Sequence, residues 1–278
     1  MRTLEYLRGH VPEYLIEAWA LGCFMMSAGL FTMLFESPHS RLHAAIVDAD
    51  VRRAAIGVAM GLTAIALIHS PWGKRSGAHM NPAVTLAYAS LGKISALDAL
   101  GYITAQFVGG SLGVLLLWLL CGALFAEPPV LFVQTLPGTA GSGVAFAAEC
   151  GIAFGLMLTI LTLSSRPKLA PFTGYVAGFL VALYIGFEAP LSGMSMNPAR
   201  SFASALPAGN WMPLWIYFTA PVLGMVGAAQ FFCRMTGSRA AHCAKLLHPA
   251  TQRCIHCGQP TAPLPVTSST MGAHSHVD

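Results

Sequence analysis

Apolar residues gather in six runs: 13–35, 51–70, 96–120, 143–164, 170–189 and 212–233. A helix needs about 20 such residues to cross the hydrocarbon core of a bilayer. The runs lack the regular polar alternation of a soluble domain, so they predict six membrane-spanning helices. Two shorter apolar segments stand between runs two and three and between runs five and six. Each opens on the same motif, SGAHMNPAVTLA at 76–87 and SGMSMNPARSFA at 192–203. A single Asn-Pro-Ala is an ordinary turn and helix-start signal. Two copies at matching places in a membrane-like chain point to a substrate path at a repeat interface.

The repeat sets the organisation. Residues 1–126 form a first half and 143–233 a second, joined by the Pro- and Gly-rich linker 127–142 and followed by the tail 234–278. Three spans per half is an odd number, so the second half enters the membrane in the opposite orientation, as an inverted repeat. Gly57 and Gly61 in span two, and Gly174 and Gly178 in span five, are small-xxx-small pairs that let helices approach closely. The fold class is therefore an all-α membrane protein of six transmembrane helices plus two re-entrant half-helices.

Composition agrees, with 55% hydrophobic and only 9% charged residues. That excludes an ordinary soluble domain. The net charge of +4 is no nucleic-acid signal, because the basic residues sort by loop. Arg2, Arg8, Lys74, Arg75, Lys93, Arg166, Lys168, Arg234, Arg239, Lys245 and Arg253 share one side. Arg41, Arg52 and Arg53 fall on the other, the last two beside Asp48 and Asp50. Lys and Arg favour the cytoplasmic face, which places both termini inside. Cys23, Cys121, Cys150 and Cys233 sit in apolar runs as small hydrophobes. The spans carry no nucleophile–base pair, phosphate-binding loop or closed metal motif, so neither an enzyme nor a cofactor is expected.

Non-helical backbone before each Asn-Pro is tolerable at membrane depth only where it is buried in protein or lines a wet cavity. Pro82 and Pro198 suit the first position of a helix, where a missing N–H costs nothing. They start half-helices expected to reach Leu91 and Leu206. Their N-termini meet near the midplane, and two positive dipole ends there repel cations. Asn81 and Asn197 read as N-caps. Arg200 is a charge within the membrane region, as are Glu17 and Glu149 in spans one and four. Such residues mark function or a pairing partner.

These features resemble the major intrinsic protein family, the aquaporins and aquaglyceroporins, and within it the bacterial-type aquaporin-like members. The resemblance runs from Glu13 to Phe232. It includes Glu17, Tyr102-Ile103-Thr104-Ala105-Gln106, Glu149 and Asn197-Pro198-Ala199-Arg200-Ser201-Phe202. It implies a passive channel for water that excludes protons and ions, lying in a bacterial inner membrane and assembled as a homotetramer. The pore motifs are Asn81-Pro82-Ala83 and Asn197-Pro198-Ala199, whose Asn side chains offer amide donors to the permeant. Glu17 and Glu149 accept backbone N–H groups of the re-entrant loops, and His79 braces its loop or faces the inner vestibule. The narrow outer filter falls on Met60, Ile185, Met194 and Arg200. Ile185 departs from the water-selective pattern, which has His there, and leaves the filter more apolar. Ser201, Ala205 and Tyr217-Phe218 lean toward water. A glycerol- or urea-passing facilitator is the alternative, and a coupled secondary transporter is the rival class.

The tail lies outside the resemblance. Its Cys243, His248, Cys254 and Cys257 offer soft ligands suited to zinc, although the Cys243-to-Cys254 spacing matches no standard pattern. The competing expectation is a reduced and mostly disordered tail. Residues 258–278, rich in Pro, Ser and Thr, are expected to be unstructured.

Overall fold

A computed structural model describes residues 2–237, 241–248 and 254–258. The spans are α1 (Arg2–Glu36), α2 (Ala49–His69), α4 (Ala96–Cys121), α5 (Ser142–Ser164), α6 (Thr173–Phe187) and α8 (Leu214–Thr236). The half-helices are α3 (Pro82–Ser90) and α7 (Pro198–Ala208). No strand occurs among the described residues. Among the described residues six helical stretches, the fifth running Ala170–Phe187, are long and apolar enough to cross a membrane.

Span one begins earlier than the apolar run implies. Its first turns carry Glu5 and Arg8, which disguise a helix as a polar leader. Asp98, at the start of α4, holds this extension. Its carboxylate accepts the Tyr6 and Tyr14 hydroxyls at 2.7 Å each and lies 2.7 Å from His10 Nδ1.

The packing repeats under a pseudo-two-fold. Helix α1 packs on α4 as α5 packs on α8, and α2 packs on α6 across the axis. Each half-helix lies on the last span of the other half, α3 on α8 and α7 on α4. The two halves are thereby interlocked. Helix dipoles and apolar burial alone do not bring α2 so close to α6; small residues do. A Cβ on Gly61 would stand 2.5 Å from the Gly178 carbonyl oxygen, and one on Gly178 would stand 2.6 Å from that of Gly61. Gly57 faces the Ala182 carbonyl oxygen in the same way, at 2.6 Å. These contacts involve backbone, so no rotamer change relieves a larger side chain.

Two described pieces of the tail, 241–248 and 254–258, follow the last span. Ala241, Ala244, Lys245, Leu246, Leu247 and Cys254 are buried. Arg239, Arg253 and residues 259–278 lie outside the described residues.

Gly61→Val should lower thermal stability in detergent, by about 1–3 kcal/mol if overpacking behaves as in soluble cores. Gly151→Ala meets nothing within 4 Å. It should be neutral or slightly stabilising by comparison. Equal melting temperatures for the two variants would contradict the close-contact account.

Candidate functional site

A cavity of about 300 Å³ runs between the two halves. Its polar wall comes from the loops before α3 and α7, and its apolar wall from Ile56, Met60, Leu156, Ile160, Val181 and Ile185.

The loops owe their shape to left-handed backbone. Gly77, Ala78 and Met80 have φ of 103°, 54° and 50°; Gly193, Met194 and Met196 have 80°, 48° and 53°. Left-handed conformation costs roughly 1–2 kcal/mol for a residue with a Cβ. Gly relieves this at one position per loop, and the remaining strain needs external support. Two buried carboxylates supply it. Glu17 accepts the N–H groups of His79 (3.0 Å) and Met80 (2.6 Å), the Ser76 hydroxyl (2.7 Å) and the Gln106 amide (2.8 Å). Glu149 accepts the N–H groups of Ser195 (2.6 Å) and Met196 (2.7 Å) and the Ser192 hydroxyl (2.8 Å). Tyr102 and Tyr217 add matching clamps, donating to the Ser76 and Ser192 carbonyls at 2.7 and 2.6 Å. Neither glutamate lines the cavity.

Asn81 and Asn197 sit back to back where the loops meet. Each side-chain oxygen caps its own half-helix: Asn81 Oδ1 accepts from Ala83 N, and Asn197 Oδ1 from Ala199 N and Arg200 N. Each amide also crosses to the other loop, Asn81 Nδ2 to the Met196 carbonyl (2.6 Å) and Asn197 Nδ2 to that of Met80 (2.7 Å). An amide nitrogen has two hydrogens. One is committed to this crossed pair, which leaves one on each side chain, and both residues line the cavity. Pro82, Pro198, Ala83 and Ala199 are buried behind them in the first turns of α3 and α7.

The four expected filter residues come together on the same cavity. Met60, Ile185, Met194 and Arg200 all line it, whereas the neighbours Tyr184 and Gly186 do not. Arg200 Nη1 donates to the Val133 carbonyl at 2.9 Å, so the linker fixes its guanidinium. A second cation was not anticipated there. Arg53 also lines the cavity, donating to the Gly186 carbonyl at 3.0 Å and pairing with Asp50 at 2.7 Å. In sequence it reads as an interfacial arginine at a span end, and only the approach of α6 reveals its place. Arg52 instead pairs with Glu36 at 3.1 Å.

His79 lines the opposite end. It shares hydrogen bonds with Thr85 Oγ1 (3.0 Å) and with the carbonyl oxygen of Ala244 in the tail (2.8 Å). The tail cysteines and histidine converge nearby. The ligand atoms of Cys243, His248, Cys254 and Cys257 all lie within 4.8 Å of one another.

Comparison with known proteins follows the same outline. The family model described as "Major intrinsic protein" matches residues 13–232. Aquaporin NIP1-2 of Arabidopsis thaliana is 33% identical over 214 residues, covering 75% of this chain and 69% of that protein. Aquaporin-4 of Rattus norvegicus is 39% identical over 183 residues, covering 64% of this chain and about half, 54%, of that protein. Glycerol uptake facilitator protein-like 6 of Lactiplantibacillus plantarum is 38% identical over 187 residues, covering 66% and 85%. The solved aquaglyceroporin from Plasmodium falciparum superposes with a TM-score of 0.69 at 20% identity, covering 83% of this chain and 98% of that one, which speaks to the fold.

Glu17→Ala and Glu149→Ala should each lower the melting temperature and folded yield, because every buried donor left unpaired costs about 1–3 kcal/mol. Glu17 serves four donors and Glu149 three, so Glu17→Ala should be the worse. A Glu149→Ala variant less stable than Glu17→Ala would overturn that ranking. With the matched residues spanning all six helices and both loops, the chain is a multi-pass membrane protein of the major intrinsic protein family.

Proposed function

We propose that the chain is a passive channel for water that also passes small neutral solutes such as glycerol or urea. The observation that carries the reading is the meeting of the Asn81 and Asn197 amides on a cavity polar along one wall and apolar along the other. A water molecule that accepts from both amides has its lone pairs occupied and cannot take a proton from its neighbour. The converging N-termini of α3 and α7 add positive potential at the same point. Protons and other cations are therefore excluded while neutral molecules pass.

Met60, Ile185, Met194 and Arg200 form the filter. Arg200 supplies donors and repels cations, and Arg53 extends the positive field beside it. The other three residues offer carbon rather than hydrogen bonds. That costs water some solvation and favours a solute with carbon on one side and hydroxyls on the other. A strict glycerol facilitator is the alternative, favoured by this apolar wall alone. A proton-coupled transporter fits poorly, because Glu17 and Glu149 are consumed by loop donors and stand away from the cavity.

Both termini are assigned to the cytoplasm from the distribution of Lys and Arg, and a bacterial inner membrane is proposed from the resemblance to bacterial-type members. A homotetramer is proposed from the family, with each chain holding its own pore. Exposed apolar residues such as Leu62, Leu119 and Phe179 would then face lipid or a neighbouring copy. A detergent particle with the mass of one chain would count against the tetramer.

In proteoliposomes treated with a membrane-permeant metal chelator, stopped-flow light scattering should show rapid water exit in sucrose and measurable uptake of glycerol or urea above empty vesicles. Ile185→His should reduce solute uptake and spare most of the water flux, since it puts a longer, polar side chain with a donor on the cavity that Arg200 lines. Arg200→Val should admit larger or charged solutes while water flux stays within about an order of magnitude. Absence of any solute flux in the unaltered protein would make it a strict water channel despite Ile185.

A further inference from the structure

The tail does more than lie on the surface. Leu246 is buried and lines the pore cavity at the end where His79 stands. Its backbone N–H donates to the Gly77 carbonyl at 3.2 Å, tying tail to pore loop. The Ala244 carbonyl bonds the His79 imidazole, and buried Lys245 donates to the Arg75 carbonyl at 2.7 Å. An ammonium suits the carbonyl-rich C-terminal end of the short helix Pro71–Ser76. His256 reaches the Tyr102 hydroxyl at 3.1 Å. Three consecutive tail residues, Ala244, Lys245 and Leu246, thus contact the loop that carries Asn81 and the short helix before it.

The apolar side chains that anchor this segment are Ala241, Ala244, Leu246 and Leu247. The Cys and His residues can supply a further fastening. Cys243 Sγ and Cys254 Sγ are 3.4 Å apart and His248 Nε2 and Cys257 Sγ 3.2 Å apart, with all four ligand atoms inside 4.8 Å. A tetrahedral zinc with ordinary Zn–S and Zn–N bonds needs sulfur–sulfur edges of about 3.8 Å and sulfur–nitrogen edges of about 3.6 Å, a small relaxation from these positions. Three thiolates and one imidazole make a closed set of structural type, with no position left for a reacting water. An open cleft lined by Cys243, His248, Cys257 and Lys245 gives the ion a route in.

We propose that Cys243, His248, Cys254 and Cys257 form a tetrahedral Zn²⁺ site whose occupation seats the tail and places Leu246 across the inner mouth, closing the channel. Losing the ion frees the segment and opens the pore. The site stands on its ligands alone. The gate rests on the channel reading above.

The test uses the full-length chain. Co²⁺ added to the metal-free protein should give the visible ligand-field bands and thiolate charge-transfer absorption of a tetrahedral sulfur-rich site. Zn²⁺ should abolish these bands stoichiometrically. Cys243→Ser and Cys257→Ser should lose them, while Leu246→Ala should keep them. In proteoliposomes, water flux should be low with Zn²⁺ and rise several-fold after a membrane-permeant chelator. Cys257→Ser and Leu246→Ala should be fast with or without the ion. A chain that takes up no Co²⁺, or whose Cys243 and Cys254 are joined by a disulfide in place of metal, overturns the site. A chain that releases its metal with no change in water flux overturns the gate. If no form conducts water under any condition, the channel reading fails and the gate with it, whereas the Co²⁺ spectrum still decides the site.

Discussion

Two carboxylates without cationic partners are the constraint on which the structure turns. Burying Glu17 and Glu149 in a bundle would be prohibitive if either lacked hydrogen bonds. Each is surrounded by donors because the loops beside it have left helical geometry and hold N–H groups with no other acceptor. The arrangement is reciprocal. The loop needs the carboxylate to occupy its left-handed backbone, and the carboxylate needs the loop to be tolerated in the membrane. From that bargain follow the direction of α3 and α7, the crossing amides of Asn81 and Asn197, and the polar wall of the cavity.

Much of this was legible in the sequence where the signal is local. Pro at a helix start, Asn before it and Gly in paired positions act through their own backbone, so the duplicated motif predicted both half-helices and their capping. The close approach of Gly61 and Gly178 was legible for the same reason: a missing side chain has few other uses inside a span. The reading extended to Met60 and Ile185 through resemblance, and both lie on the cavity. What stayed hidden depends on partners far away in the chain. Gln106 was noted as part of a family run, but its bond to Glu17 is a tertiary fact. Arg53 looked like a surface anchor because its adjacent acids are visible and the Gly186 carbonyl is not. The docking of Ala244-Lys245-Leu246-Leu247 was not foreseen, because a short apolar step and four soft ligands at irregular spacing carry no periodicity. The tail's structure comes from the surface it docks on.

The inverted repeat makes the placement of the tail intelligible. Symmetry gives the two pore loops equivalent outer flanks, and each flank presents strained backbone and unpaired polar groups that something must cover. On the second loop the linker does this. The Val133 carbonyl accepts from Arg200, the Thr135 hydroxyl bonds Ser201 at 2.6 Å, and a Cβ on Gly193 would meet the Leu136 carbonyl oxygen at 2.9 Å. On the first loop the tail takes the corresponding place. The Ala244 carbonyl bonds His79, and a Cβ on Gly77 would meet the Lys245 side chain at 2.9 Å. The two covers differ in one physical respect. The linker is covalently tethered at both ends, between α4 and α5, and its loop closure is already met by the bundle. The tail follows α8, and ordering it costs conformational entropy that contacts made on docking offset. The tail's four soft ligands are suited to adding such a contact. A permanent cover suits the face where the filter must be held rigid. A releasable cover suits the face where flow can be stopped without disturbing selectivity.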